Sequence, residues 1–429
     1  METIKIQGGI PLKGTVTIGG AKNSALPILA AAMLTEEPVV IENVPNVADC
    51  KTLITIMRDL NVAIDYIDEH TVRIDSGHMQ NVCVDSEGVS KMRASYYLLG
   101  VLLGRFHEAC VAFPGGCNFG VRPIDIHLKG FRALGAQMDV GAMIELHADH
   151  LKGRNIFLDF PSVGATINIM LAAVYAEGTT IIENAAKEPH IVDTANFLSS
   201  MGADVKGAGT ATIRIRGVKK LHGTTYAIIP DQIEAGTYMV AAAATRGDVT
   251  VTNVISRHMD SVCAKLAEAG VGVEELDEDA IRIIGTKDMR PTRIKTMPYP
   301  GFPTDMQPQT MVLLSMVRGT SMINDTIFDR FRHVEQLTKM GANINVEGQI
   351  AIIEGVDHLE GCTVEATDLR AGAAMVIAGL AAQGETTVTN IKYIERGYES
   401  MVAKLQALGA DIWKDTGTGS LKVIKGMAN

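Results

Sequence analysis

A cysteine stands at the centre of Phe113-Pro114-Gly115-Gly116-Cys117-Asn118-Phe119-Gly120-Val121-Arg122-Pro123, where three glycines and two prolines in eleven residues spell an exposed loop. Cations close to a thiol can tune its pKa down from about 8.5, and Arg122 follows five residues later. That points to a reactive thiol on a mobile lid; the plainer alternative is a free cysteine in a long turn. Comparable loops elsewhere carry Arg257-His258, Arg330 with Arg332, and Arg396. Guanidinium groups grip phosphate and carboxylate through paired N–H donors, so their convergence implies a small polyanionic ligand. Taken singly, each is an ordinary solvated charge.

Two segments offer helix starts to an anion. Gly19-Gly20-Ala21-Lys22-Asn23-Ser24-Ala25-Leu26-Pro27 and Ser162-Val163-Gly164-Ala165-Thr166 place small residues and backbone N–H groups where phosphate binds. Neither is a P-loop, and ordinary helix capping is the simpler reading; Lys22 tips the first toward anion binding. Asp231, Asp305 and Asp368 occupy comparable places before later helices, where a carboxylate is expected as an N-cap. Asp305 differs because Pro303 and Pro308 stiffen its segment, as a positioned base requires. His147-Ala148-Asp149-His150 reads as a polar turn rather than a metal site, since no zinc motif is present.

The chain that must hold these groups has 429 residues, 47% of them hydrophobic and 21% charged, which excludes disorder and a disulfide scaffold. At roughly 150 residues per domain, two or three domains are expected. Lys and Arg number 39 against 49 Asp and Glu, and this balance of −10 argues against nucleic acid as the partner. No apolar run approaches the ~20 residues that cross a bilayer, and METIKIQGG is not a signal peptide. The six cysteines (Cys50, Cys83, Cys110, Cys117, Cys263, Cys362) lack any C-x-x-C pair, so free thiols in a reducing cytoplasm are expected.

The strongest organising signal is an internal repeat. A helix-ending tripeptide centred on Gly recurs at Gly135, Gly202, Gly270, Gly341 and Gly409, with Asn61 in a degenerate first copy; the spacings are 74, 67, 68, 71 and 68. A second landmark is a Gly turn, a β-branched strand and then Asn or Asp, as in Gly178-Asn184, Gly247-Asn253, Gly319-Asp325 and Gly384-Asn390, with Glu37-Asn43 in the first copy. Each unit reads as alternating strands and helices, an α/β class. Helices such as Ile167 to Tyr175 and Ala371 to Ala382 are apolar nearly all round and therefore buried, with sheets wrapped around them. The expected architecture is a two-lobe inside-out α/β barrel of six repeats of about 70 residues.

Gly20-Ala21-Lys22-Asn23, Pro114-Gly115-Gly116-Cys117, Arg122-Pro123-Ile124-Asp125, Ser162 to Thr166, Pro303-Thr304-Asp305, Asp329-Arg330-Phe331, Asp368-Leu369-Arg370 and Glu395-Arg396-Gly397 together resemble the enolpyruvyl transferase family over essentially the whole chain. The Cys117 loop resembles the nucleotide-sugar branch rather than the shikimate-pathway relative, which lacks it. The resemblance implies one lobe of residues 22–229 and a second of 1–21 plus 230–429, closing on the substrate. It implies transfer of the enolpyruvyl group of phosphoenolpyruvate to the 3′-hydroxyl of UDP-N-acetylglucosamine with release of phosphate, the first committed step of peptidoglycan synthesis, in the cytoplasm and without cofactor or metal.

By the same resemblance Asp305 is the base, Cys117 the acid and a nucleophile open to the epoxide fosfomycin, and Lys22 a third catalytic group. Lys22, Asn23, Arg122 and Arg396 match phosphoenolpyruvate contacts. Asn23, Arg93, Arg122, Pro123, Ile124, Asp125, Ile126, Ser162, Val163, Gly164, Asp305 and Ile327 match nucleotide-sugar contacts, with Arg330, Asp368 and Arg370 in support. Phe160-Pro161 stand where some family members carry a diphosphate-binding Lys, leaving backbone N–H groups and other cations to that task. The alternatives are a shikimate-pathway transferase, which shares the cations, and a non-catalytic repeat clamp, which would need a basic face.

Overall fold

Thr/Val/Ile runs favour strands and Ala/Leu/Met runs favour helices, and the two alternate along the chain. A computed structural model describes residues 2–85, 88–89, 92–113 and 124–417. Among these residues there are six sheets, and five of them share one pairing pattern. A central strand takes a short strand in parallel on one side and a hairpin in antiparallel on the other. Thr179–Glu183, for instance, runs parallel to Asn155–Phe157 and antiparallel to Thr212–Arg216, which continues to Asp204–Lys206. Val39–Glu42, Asp248–Thr252, Thr320–Asp325 and Glu385–Thr389 are the corresponding central strands. In the last sheet the chain ends supply the antiparallel pair, Thr3–Gln7 and Asp411–Asp415. In the sixth, Glu108–Ala112 pairs with Met143–His147, and a lone bridge from Val84 to Val111 stands in place of the parallel strand. No sheet closes on itself among the described residues, so the fold is mixed α/β built of open sheets rather than a closed barrel.

The chain divides into two compact units. The first comprises residues 18–234 with 297–303, and the second comprises 1–17, 235–296 and 304–429. The 297–303 segment groups with the first unit although it lies far along the chain. Its backbone is tied to the first unit, where Tyr299 N–H donates to Glu188 Oε1 at 3.5 Å. Burial pushes the Glu188 carboxyl up from its ordinary pKa, partly opposed by backbone hydrogen bonds.

Among the described residues, the first unit holds the helices α1 (Lys22–Ala31), α2 (Ala48–Asp59), α3 (Tyr97–Phe106), α4 (Asp125–Ala133), α5 (Val163–Ala173) and α6 (Pro189–Ser200). Further along are α7 (Gln232–Ala244), α8 (Asp260–Glu268), α9 (Gln307–Ser315), α10 (His333–Lys339), α11 (Leu369–Ala381) and α12 (Met401–Ala407). α1, α3, α5, α9 and α11 are buried almost all round, whereas α2 and α4 bury one face. Ile167, Ile169, Met170 and Leu171 of α5 are fully buried, each contributing about 1.5–3 kcal/mol. α3 and α5 cross at Gly100, where an added Cβ would lie 2.3 Å from Asn168 Oδ1. That buried amide oxygen accepts the Gly100 N–H at 2.8 Å, so the helices are joined by a hydrogen bond as well as by packing.

The repeat signals have a backbone cause. Gly135, Gly202, Gly270, Gly341 and Gly409 all adopt positive φ, between 91° and 106°, and turn the chain from helix into strand. Asn61 takes the same role at φ 61°, since Asn tolerates the left-handed region. Asn43, Asn184, Asn253 and Asn390 likewise sit at φ 55–57° where the central strands end. Asn43 and Asn184 donate side-chain N–H groups, each at 2.8 Å, to Ile228 O and Leu158 O, fastening the end of the parallel strand.

The expectation of six free thiols is corrected. Cys83 and Cys110 form a disulfide, with Cα atoms 4.6 Å apart, because the Val84–Val111 bridge sets the two residues side by side. Cys50, Cys263 and Cys362 are free thiols, and burial raises the Cys263 pKa to about 12. No helix among the described residues is long and apolar enough to cross a membrane.

The positive-φ turns give a test of stability. Gly341→Ala meets nothing within 4 Å, so its cost isolates the backbone angle and is expected to be about 1–2 kcal/mol. Asn61→Gly should move stability far less. Urea unfolding measures both, and an unchanged midpoint for Gly341→Ala would contradict this account of the repeat.

Candidate functional site

In the first unit the site is built around two helix starts. Lys22 is the first residue of α1, where the helix dipole disfavours a cation, so its charge must be balanced from elsewhere. Asp49, in the first turn of α2, supplies that balance: Lys22 Nζ donates to Asp49 Oδ2 at 3.1 Å, with both side chains almost buried. The Lys22 backbone N–H donates to Asp231 Oδ2 at 3.3 Å. Asp231 Oδ1 meanwhile accepts the N–H groups of Ile233 and Glu234, as the capping reading expects. Asn23 is half-buried beside Lys22.

The second helix start is that of α5. Ser162 caps it by accepting the Ala165 N–H at 3.3 Å, and Val163 and Gly164 form the first turn. First-turn N–H groups have no partner inside their own helix, which is what an anion needs. Gly164 admits no side chain: a Cβ there would lie 2.5 Å from Tyr96 Oη and 3.0 Å from His127 Cε1. Tyr96 and His127 pack edge to face at 4.6 Å, and the Arg93 guanidinium lies 5.7 Å from the Tyr96 ring centre. Arg93, Tyr96, His127 and the α5 start therefore form one cluster, with Ile124, Asp125 and Ile126 at the beginning of α4 alongside His127 in the chain.

His127 is neutral. Burial first, and the Arg93 charge second, lower its pKa to about 3. Asn168 Oδ1 is committed to Gly100, so its Nδ2 faces and donates to His127 Nδ1 at 3.1 Å. The imidazole hydrogen accordingly resides on Nε2.

In the second unit Asp305 lies in a 3-10 turn, Thr304–Met306. Its Oδ1 accepts Arg330 Nη1 at 2.6 Å, and its Oδ2 accepts Arg370 Nε and Nη2 at 3.2 and 3.1 Å. Both arginines are buried, at 5% and 3% exposure, while the Asp305 side chain keeps 24%. Two guanidiniums on one carboxylate leave the trio with a net positive charge and hold both carboxylate oxygens in a fixed orientation. Asp368 caps α11 by accepting the N–H groups of Arg370 and Ala371 at 2.8 and 3.1 Å, which fixes the residue that carries the guanidinium. Arg370 also lies over Tyr398 at 5.3 Å, and Tyr398 Oη, Thr237 Oγ1 and Gln309 Nε2 form a buried network behind it.

Asp325 organises the neighbouring segment. Its Oδ2 accepts Thr304 Oγ1 at 2.8 Å, and its Oδ1 accepts Thr296 Oγ1 and the N–H groups of Ile327 and Phe328. Ile327 is half-buried, and Arg396 ends the 3-10 segment Ile391–Arg396.

Cys117, Arg122 and Pro123 lie outside the described residues. Within the first unit Lys22 and Asn23 are neighbours, and Arg93 joins the start of α5. Within the second, Asp305, Arg330, Asp368 and Arg370 are brought together. Sequence reasoning missed Asp49, which looks like a routine first-turn acid in α2, and His127 with Tyr96, which look like core residues. The sequence signal for Asp49 is a buried lysine at a helix start, which requires a carboxylate somewhere. His147 pairs with Glu108 and Asp149 at 3.2 and 3.4 Å.

A family model described as EPSP synthase (3-phosphoshikimate 1-carboxyvinyltransferase) matches residues 6–423. The chain is similar to UDP-N-acetylglucosamine 1-carboxyvinyltransferase 3 of Caldanaerobacter subterraneus subsp. tengcongensis, with 57% identity covering 96% of this chain and 99% of the relative. It is 54% identical to UDP-N-acetylglucosamine 1-carboxyvinyltransferase 2 of Clostridium acetobutylicum, covering 97% and 100%. Among solved structures, the enolpyruvyl transferase NikO from Streptomyces tendae superposes with a TM-score of 0.86 at 26% identity, covering 96% and 99%. EPSP synthase from Acinetobacter baumannii, at 22% identity and a TM-score of 0.74 over 97% and 100%, shares the fold. The matched model spans nearly the whole chain and the relatives align end to end: this chain belongs to the enolpyruvyl transferase family.

Proposed function

We propose that this protein transfers the enolpyruvyl group of phosphoenolpyruvate to the 3′-hydroxyl of UDP-N-acetylglucosamine, releasing phosphate, and so commits the sugar to peptidoglycan synthesis. The observation that carries this reading is the identity of 54–57%, over nearly the full length, to relatives named for that activity. The shikimate-pathway alternative draws on the description of the matched family model and on fold-level likeness to the A. baumannii enzyme, whereas the relatives at 54–57% identity bear the nucleotide-sugar name. Incubation with phosphoenolpyruvate and either UDP-N-acetylglucosamine or 3-phosphoshikimate, with phosphate as readout, separates the two. Release with the nucleotide sugar alone is the expected result.

The chemistry is substitution at a vinyl carbon. A proton must reach the methylene carbon while the sugar hydroxyl attacks the adjacent carbon and loses its own proton; the resulting methyl group must then give up a proton as phosphate leaves and the double bond returns. Asp305 takes the hydroxyl proton, and its two guanidinium partners hold both carboxylate oxygens in place. Cys117 delivers the proton to the methylene carbon. Lys22, Arg122 and Arg396 balance the phosphate and carboxylate of phosphoenolpyruvate, the positive charge a metal would otherwise bring, and Asn23 adds a neutral amide contact. The sugar nucleotide is gripped by Arg93, Pro123, Ile124, Asp125, Ile126, Ile327 and the Ser162-Val163-Gly164 helix start. Arg330, Asp368 and Arg370 act in support. Each unit carries a share of these groups, and we further read each as three repeats whose sheets wrap the buried helices, acting in the cytoplasm.

Three variants test the roles. Asp305→Ala is expected to lose about 10² to 10⁴ in kcat with its fold intact, the range for a general base; near-normal phosphate release would reduce Asp305 to a structural residue. Asp49→Asn leaves Lys22 without its carboxylate and should raise KM for phosphoenolpyruvate roughly tenfold or more, about 1.4 kcal/mol or above. An unchanged KM would mean that the ion pair does not position Lys22. Fosfomycin should alkylate Cys117 in the wild type, and peptide mass mapping after Cys117→Ser should find no adduct; labelling of Cys50 or Cys362 with Cys117 intact contradicts the assignment.

A further inference from the structure

The sixth sheet is incomplete in a specific place. In the other five, three to five residue pairs join the parallel strand to the central one. Here, among the described residues, the parallel partner of Glu108–Ala112 is reduced to the Val84–Val111 bridge, with two backbone hydrogen bonds: Val84 N–H to Cys110 O and Ala112 N–H to Val84 O, each at 2.8 Å. The residue before Val84 and the residue before Val111 are the two disulfide partners. A covalent bond therefore stands where backbone pairing is missing. Cys83 is exposed and Cys110 is half-buried, so the bond is open to small thiols from the Cys83 side.

We infer that Cys83 and Cys110 form a reversible thiol–disulfide site that locks residues 81–85 onto the central strand when oxidised and releases them when reduced. The oxidant is a low-molecular-weight disulfide. The exposed Cys83 thiolate attacks one of its sulfurs and expels one small thiolate, giving a mixed disulfide. The Cys110 thiolate then attacks Cys83 Sγ and expels the second. Two protein thiols lose two protons and two electrons, and one small disulfide becomes two small thiols; reduction is the reverse exchange. The ring closed by the bond spans a sequence separation of 27 and includes Arg93–Tyr96 and α3. The redox state thereby sets how firmly the start of that ring is held, and in a reducing compartment a pair of this kind cycles rather than remaining closed.

The test uses the full chain equilibrated across glutathione buffers from fully reduced to fully oxidised, quenched in acid, with the crosslink read by non-reducing peptide mass mapping. The Cys83–Cys110 crosslink should rise from near absence to near completion and fall again when reduced glutathione is restored. Amide exchange at Val84 and Ala112 should be at least ~10-fold faster in the reduced protein, because only two backbone hydrogen bonds and the buried Val84 side chain then hold the segment. Cys83→Ser, a substitution at an exposed site, should exchange at the fast rate in every buffer. The inference is overturned by any of four results: no Cys83–Cys110 crosslink at any ratio, a crosslink of either cysteine to another one, a bond that survives the reducing end of the series, or equal exchange in the two states. None of these readouts depends on enzymatic turnover, so the inference stands or falls separately from the proposed function.

Discussion

A buried charge is tolerated only where a partner meets it, and much of the second unit is arranged around one such meeting. Arg330 and Arg370 are almost completely buried, and both direct their guanidinium groups at the Asp305 carboxylate. Were Asp305 lost, two cations would remain in a low-dielectric interior. The elements around it serve that contact. Asp368 anchors the first turn of α11 so that Arg370 leaves the helix toward Asp305. Asp325, at the end of a central strand, holds Thr304 and the Ile327-Phe328 turn, which positions both the Asp305 turn and the approach to Arg330. Strand, turn and helix are thus fixed relative to one another by carboxylates that each take several donors.

The first unit solves a similar problem with a different pair. Lys22 at the start of α1 and Asp49 at the start of α2 bring opposite charges to two helix ends, while the rest of α1 is apolar and buried. The α5 start is kept slim by Gly164, because Tyr96 and the neutral His127 occupy the volume a side chain would need. Binding groups at helix starts, supported by buried helices, give precise placement without long loops.

What the sequence reveals follows from how local each cause is. The repeat was legible because a left-handed turn demands Gly or Asn wherever it occurs, as at Gly202, Gly341 and Asn61. Buried helices were legible because α5 and α11 have no polar face to hide. Asp368 and Asp231 were legible as caps, since a cap acts on residues two or three positions away. Asp305 stood out by its flanking prolines, yet its guanidinium partners lie 25 and 65 residues away, a separation that no local pattern encodes. The Lys22–Asp49 pair and the Cys83–Cys110 bond are of the same kind, made only once strands and helices have folded together. Residues 297–303 group with the first unit, and so short a segment leaves no compositional mark.

The central claim is that Asp305 and Arg370 act as one electrostatic unit. A double-mutant cycle with Asp305→Asn, Arg370→Met and the pair, read by urea unfolding, tests it most directly. The account predicts that the double variant is more stable than the sum of the single effects allows, with a coupling of at least ~1 kcal/mol, because removing both partners leaves one fewer unmatched buried charge. Effects that add to within about 0.3–0.5 kcal/mol would contradict it.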